Sequence, residues 1–244
     1  MPRFFVTSQQ INDQNINIYG SDVNHIRTVL RMSVGDKIRV CDGIGNEYSA
    51  IITSISREMV TTDILEIFPN KTELDVRITL LQAIPKSDKM DFVIQKTVEL
   101  GIYEIIPVVT ERVVTKIDKQ DYPVKKHVRW NRISVEAAKQ CNRGILPQVF
   151  EPMGFLDAMS YAETLNAKLI MPYENEEERS LKSVLSYPVP ERICLFIGPE
   201  GGISQHEAEK AVECGFIPVT LGKRILRTET AGMAVLAALD LLYF

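Results

Sequence analysis

Between residues 78 and 222 five short apolar runs, ITLLQAI, EIIPVV, KLIMPY, ICLFIG and IPVTLG, alternate with segments of helical character. This alternation restricts the fold more than any other feature. Strands that are apolar almost throughout must be covered on both faces, and intervening helices provide that cover for a parallel sheet. The helical segments carry signals of their own. From Asp88 onward, Met90, Val93, Ile94 and Val98 fall on one stripe, and Gly101 marks the end. After Ile203, Ser204 and Glu207 stand at capping-box spacing, and Cys214-Gly215 closes the helix. An α/β domain with a parallel sheet is expected.

Residues 1 to about 68 read instead as a small β-rich unit. Ile38 and Val40 alternate with polar neighbours, Asp42-Gly43-Ile44-Gly45-Asn46 supplies turn residues, and 48–55 and 59–67 add two strands. One helix interrupts them, with Ser21 as N-cap and Val23, Ile26, Val29 and Leu30 on one face. That leaves His25, Arg27 and Arg31 nearer its outer side. Pro69-Asn70-Lys71 is the expected linker, which divides the chain into domains of 1–69 and 72–244.

The chain has 244 residues, 45% of them apolar, enough for two domains with real cores. Its net charge of -4 argues against a nucleic-acid partner, since such domains are usually basic. Read locally, the objection weakens. Residues 125–143 hold six Lys or Arg (Lys125, Lys126, Arg129, Arg132, Lys139, Arg143) against one acid, Glu136. An RNA contact and a solvated helix face explain that run equally well. The four cysteines and three histidines are scattered without zinc spacing, so no metal is expected, and reduced cysteines fit a cytoplasmic protein. The N-terminal MPRFFVTSQQIN has too short an apolar run for a signal peptide. The longest apolar stretch, 231–244, is interrupted by Asp240 and too short to span a bilayer, so no membrane partner is expected.

That last stretch reads as a helix apolar all round. Ala231, Ala234, Val235, Ala238, Leu239 and Leu242 make one face; Met233, Leu236, Ala237 and Leu241 make the other apolar too. Such a helix must be buried on all sides, within its own domain or against a partner subunit.

Two loops follow apolar strands. Gly198-Pro199-Glu200-Gly201-Gly202 follows ICLFI, and residues 222–230, GKRILRTET, follow VTL. In open α/β sheets ligands bind beyond the carboxyl ends of strands, and glycines let main-chain groups approach a ligand closely. Plain helix-to-strand turns would have the same composition. Neither loop is a dinucleotide fingerprint, since the glycines come late and the spacing fails. No GxxxxGK[ST] phosphate loop occurs, and no motif supports Ser-His-Asp or Cys-His chemistry.

IGPEGG followed by LGKRILRTETA resembles the paired cofactor motifs of the SPOUT superfamily, and more narrowly the 16S ribosomal RNA (uracil-N3) methyltransferases. HIRTVLRMSVGDKIRVCDG at 25–43, KSDKMDFVIQKTVELG at 86–101, TERVV at 110–114 and EAAKQCNRGILP at 136–147 agree with it, so the resemblance covers almost the whole chain. TERVV departs from the family's usual serine after Glu-Arg. The resemblance implies a trefoil-knotted parallel-sheet methyltransferase domain preceded by a small PUA-like RNA-binding β-barrel. No periodicity would indicate a knot, since true knots are rare exceptions.

By the same resemblance, S-adenosyl-L-methionine is the cofactor. Ile197, Gly198, Pro199, Glu200, Gly201, Gly202, Leu221, Gly222, Ile225, Leu226, Arg227 and Thr230 would surround it, with Met171 and Pro172 closing it from a third loop. It also implies a homodimer, each site completed by the partner, and 16S rRNA of the small subunit as substrate. Methylation at N3 of uracil requires its proton to be removed and the resulting anion stabilised. Arg227 and Arg143 are the candidate cations, with Arg112 next. Glu200 or Glu229 could accept the proton, or only cap loops or hold an arginine. RNA phosphates would meet Arg3, Arg27, Arg31, Arg39, Lys86, Arg112, Lys125, Lys126, Arg129, Arg132 and Arg143. A 2′-O-ribose methyltransferase of the same superfamily and a non-catalytic ribosome-assembly factor are the rival readings.

Overall fold

A computed structural model describes residues 1–112, 122–185 and 188–243. The chain divides into two units, Met1–Glu73 with Ala138–Leu146, and Leu74–Ala137 with Pro147–Phe244.

The first unit contains strands β1 (Arg3–Phe5), β2 (Asn15–Tyr19), β3 (Lys37–Cys41), β4 (Asn46–Ile55) and β5 (Met59–Pro69). They pair in the order β1-β3-β4-β5-β2, antiparallel except for β1 against β3. Ile38 and Val40 point inward with Phe4, Ile16, Ile18, Ala50, Ile52 and Val60, while Lys37 and Arg39 point out. This is the alternation of a sheet with one wet face.

The expected helix differs in detail. Gly20, at φ 74, is its N-cap, and Ser21 is the first residue of α1 (Ser21–Asn24). The next five residues, His25–Val29, form a π turn, closed by the N–H of Leu30 donating to the His25 carbonyl at 2.9 Å. That wider turn breaks the 3.6-residue stripe. Val23 and Ile26 are buried as expected, but Val29 is 66% exposed and Leu30 is also exposed.

In the second unit β6 (Arg77–Ala83) leads to α2 (Lys89–Glu99), β7 (Glu104–Val109) and α3 (Tyr122–Gln140), whose last residues belong to the first unit. There follow β8 (Gln148–Val149), β9 (Met153–Gly154), α4 (Phe155–Thr164), β10 (Lys168–Pro172), α5 (Leu181–Val184), β11 (Arg192–Ile197), α6 (Gln205–Glu213), β12 (Ile217–Val219) and α7 (Thr228–Tyr243). All pairings are parallel, in the order β12-β10-β11-β6-β7-β8, with β9 also on β7. The five apolar runs are five of these strands. Their burial on both faces follows from helices that cover the sheet, with Phe155, Phe196 and Phe216 in successive contact at its core.

The boundaries of α6 follow its sequence signals: the Ser204 hydroxyl accepts from the Glu207 N–H, and Gly215 adopts φ 92 just past the end. After β12, at the sheet edge, the chain does not continue outward. It runs past residues 179–181, and α7 packs against α2 and β11, further into the sheet. This is the return expected of the knotted SPOUT fold. Ala231, Gly232, Val235, Leu236 and Leu239 are buried there, whereas Leu241 is 86% exposed, so the helix is not covered on all sides within its own unit. Among the described residues no helix is long and apolar enough to cross a membrane.

In the first unit, Arg143 is buried on Glu73. Its Nη2 lies 2.5 Å from the carboxylate, and the N–H groups of Gly144 and Ile145 donate to the same side chain. Removing one partner of a buried pair strands the other charge. Glu73→Ala is expected to cost about 3–5 kcal/mol, read as a lower midpoint in equilibrium denaturation.

Candidate active site

Three loops gather where β10, β11 and β12 end. The N–H of Tyr173, after β10, donates to the Val219 carbonyl at 3.0 Å. Thr220, after β12, donates to the Arg179 carbonyl and accepts from the Leu181 N–H through its own carbonyl. The loop after β11 is tied to the last helix: the Thr228 hydroxyl donates to the Gly198 carbonyl at 2.6 Å and accepts from the Gln82 amide at 2.9 Å. Segments 146 residues apart in the chain are thereby joined at one cleft.

Of the residues expected at the cofactor, Pro172, Ile197, Gly198, Pro199, Gly202, Leu221, Gly222, Ile225 and Leu226 line this cleft. Met171 does not; it is fully buried in the core beneath the loop, because side chains of a strand alternate between faces. Tyr173 and Glu174 line the cleft from that third loop instead. Glu200, Gly201, Arg227 and Thr230 stand outside the lining, Arg227 exposed at the start of α7 with its carbonyl accepting from the N–H of Thr230. Sequence reasoning missed Thr228, Ile203, Thr220 and Glu174. Thr228 lies within the quoted LRTETA motif, so its signal was present; Glu174 opens the acidic run 174–178, which matches no motif.

Two glycines are required by close approach. A Cβ on Gly198 would lie 2.5 Å from Cγ1 of Ile203, and one on Gly202, at φ 72, would run into the Glu174 carboxylate. Partly exposed main chain at both, the apolar side chains of Ile203, Ile225 and Leu226, and one carboxylate suit a nucleoside-like ligand that carries positive charge.

The expected carboxylates lie behind the loop. Glu200 accepts from the Lys86 N–H at 3.1 Å and from Lys89 Nζ at 3.2 Å, and the same ammonium lies 3.4 Å from Glu229. Partial burial pulls the Glu200 carboxyl upward, but its own N–H, the Lys89 ammonium and the Lys86 N–H outweigh this and hold it below its ordinary value. Lys89 moves the opposite way, raised chiefly by its bond to Glu200. Arg112 donates to the Gly201 carbonyl at 2.9 Å.

Arg143, expected as a cation for the uracil oxygens, is instead spent on Glu73. The basic run of 125–143 is largely neutralised by acids that other segments bring to it. Arg129 pairs with Asp91, Arg132 with Glu136 and Lys139 with Asp22. Counting charge along the chain could not see Asp91 or Asp22. Arg3 is also engaged, its side chain 8% exposed on Glu47, while Arg27, Arg31, Arg39, Lys86 and Lys125 are exposed. Val113 and Val114 of TERVV lie outside the described residues. Among the described residues no group of three or more His, Cys, Asp or Glu is placed to hold a metal.

Two outcomes are expected from this geometry. Gly202→Ala combines a strained left-handed backbone, worth about 1–2 kcal/mol, with the collision at Glu174, and should weaken ligand binding in the cleft roughly tenfold or more by calorimetric titration. Because Glu200 is held low when folded, its contribution is complete above the ordinary carboxylate value of about 4.3 and is lost as pH falls through its depressed folded value. The difference in melting temperature between the wild type and Glu200→Gln should therefore be largest at neutral pH and shrink as pH is taken below about 4.

The family model of the RNA methyltransferase domain matches residues 72–240, and that of the RNA methyltransferase PUA domain matches residues 18–65. The chain is 34% identical to ribosomal RNA small subunit methyltransferase E of Bacillus subtilis, over 98% of this chain and 96% of that protein. It is 33% identical to the protein of the same name from Buchnera aphidicola, over 99% and 96%. Among solved structures, ribosomal RNA small subunit methyltransferase E from Neisseria gonorrhoeae, bound to S-adenosyl methionine, superposes with a TM-score of 0.85 at 34% identity, covering 100% of this chain and 98% of that one. With the parallel sheet, the returning C-terminal helix and the three-loop cleft in place, the chain belongs to the ribosomal RNA small subunit methyltransferase E family of SPOUT RNA methyltransferases.

Proposed function

We propose that this chain transfers a methyl group from S-adenosylmethionine to N3 of a uridine in 16S ribosomal RNA of the small subunit. The observation that carries this reading is the cleft at the ends of β10, β11 and β12, whose glycines admit no side chain; a solved relative 34% identical to this chain is bound to S-adenosyl methionine.

When bound, the cofactor supplies an electrophilic methyl group on a sulfonium. Main chain at Gly198 and Gly202 would hold it, Ile203, Ile225 and Leu226 would exclude water, and the Glu174 carboxylate would offset its positive charge. Arg227, exposed at the head of α7, stabilises the anion that N3 shares with the two uracil oxygens, and Arg112 supports the loop beside it through Gly201. The proton on N3 goes to a carboxylate. Glu200 and Glu229 are the carboxylates within reach of that role, and Lys89 engages both.

The chain acts as a homodimer, since α7 is uncovered at Leu241, 86% exposed within one copy. RNA is held through phosphates by Arg27, Arg31, Lys86 and Lys125, which makes its binding salt-dependent.

The test is transfer of labelled methyl to small ribosomal subunits from cells lacking this protein, followed by nucleoside analysis. Label in 3-methyluridine is the expected result; label on a ribose would favour the 2′-O-methyltransferase reading, and none at all a non-catalytic role. Arg227→Ala should slow transfer by about a hundredfold or more. Full transfer with unchanged cofactor affinity would remove Arg227 from the mechanism.

A further inference from the structure

The first unit contains a cleft of about 520 Å³ that the methyl-transfer chemistry does not use, lined by Arg3, Arg39, Glu47, Phe68, Lys71 and Asn142 among others. Its size falls within the range of small-ligand sites. Three cations stand against one carboxylate, so it favours an anionic ligand.

Its two arginines are in different states. Arg3 is largely buried, with Nε on the Cys41 sulfur at 2.8 Å, Nη2 on Glu47 at 3.3 Å and a side chain 8% exposed. It holds Glu47 in place from behind. Glu47 also accepts from the Asn70 amide at 3.0 Å, and its remaining oxygen accepts from Arg39 Nη1 at 2.9 Å. Arg39 is therefore anchored at one corner only. Its side chain is 45% exposed, and its guanidinium lies 5.3 Å over the Phe68 ring.

An arginine fixed by a carboxylate and backed by an aromatic ring is a rigid, planar plate with unused N–H groups. Phosphate binding alone does not need that plate, since a lysine would serve. Unpaired RNA bases, by contrast, stack on guanidinium planes and aromatic rings. Lys71, exposed at the same cleft and without an ion pair among the described residues, supplies charge for the adjoining phosphate. Asn142, exposed at φ 63, contributes an amide that no other group engages among the described residues; such an amide can read a base edge.

We propose that this cleft is a binding site for one unpaired nucleotide of the RNA substrate, its base stacked on Arg39 and its phosphate on Lys71. It deepens the RNA reading given above and rests on it. Such a site would make the first unit select single-stranded RNA beside the target, beyond supplying positive charge.

The test uses the full chain and an unstructured RNA oligonucleotide of about ten nucleotides, single-stranded or paired with its complement, with binding followed by fluorescence anisotropy at fixed salt. The wild type should prefer the single strand. Arg39→Lys, which keeps the charge and loses the plate, should weaken single-strand binding about tenfold and duplex binding less than twofold. Phe68→Leu, which removes the backing, should discriminate in the same direction, with cofactor affinity by calorimetry confirming that both variants are folded. Equal weakening on both RNAs, no weakening, or no single-strand preference in the wild type overturns the cleft assignment. Methyl transfer to subunits by the same wild-type preparation reports separately on the underlying reading, so the two can fail independently.

Discussion

The Thr228 hydroxyl joins the parts of this protein that function requires together. A hydroxyl has one donor and two acceptor positions, and here both roles are filled, by the Gly198 carbonyl and the Gln82 amide. All three groups lie on separate segments: the end of β6, the loop after β11 and the first turn of α7. Thr228 and Gln82 are buried, so losing the hydroxyl would leave polar groups of the interior without partners. The loop after β11 cannot drift from the helix that closes it. Tyr173, Val219, Thr220 and Leu181 do the same for the third loop through main chain alone. A cleft assembled from segments far apart in sequence gains its definition from these few bonds.

With that frame fixed, glycine decides what the cleft admits. At Gly198 and Gly202 the neighbouring Ile203 and Glu174 fill the space a side chain would need. The loops are therefore pressed together on one side and open on the other. Behind them Lys89 spans Glu200 and Glu229, so the first residue of α2 holds the loop after β11 from its far side. Acidic residues that could suggest general-base chemistry are in good part occupied with this bracing.

Charge is distributed on the same economy. The chain is acidic overall, yet its basic residues are not pooled in one patch. Arg129, Arg132, Lys139 and Arg143 each find a carboxylate, while Arg27, Arg31 and Lys125 stay exposed. Exposed pairs such as Arg132 with Glu136 contribute little to stability. The buried pair of Arg143 with Glu73 is different, because its carboxylate also takes the Gly144 and Ile145 N–H groups and so orders a loop.

The sequence by itself determined the elements and their class. Apolar runs long enough for buried strands, the Ser204–Glu207 capping box and the stripe of α2 each act over a few residues, and local steric and hydrogen-bond rules fix them. Motif resemblance pointed to the loops at the strand ends, and nine of the fourteen residues it named line the cleft there. The tertiary structure alone decided which charges are free, since Asp91, Asp22 and Glu73 reach their arginines and lysine from other elements. It alone turned Met171 into the core and brought Glu174 to the cleft, and it alone exposed Val29 by way of a π turn. In each case the deciding contact is between residues distant in the chain, or depends on a backbone turn that apolar spacing does not encode.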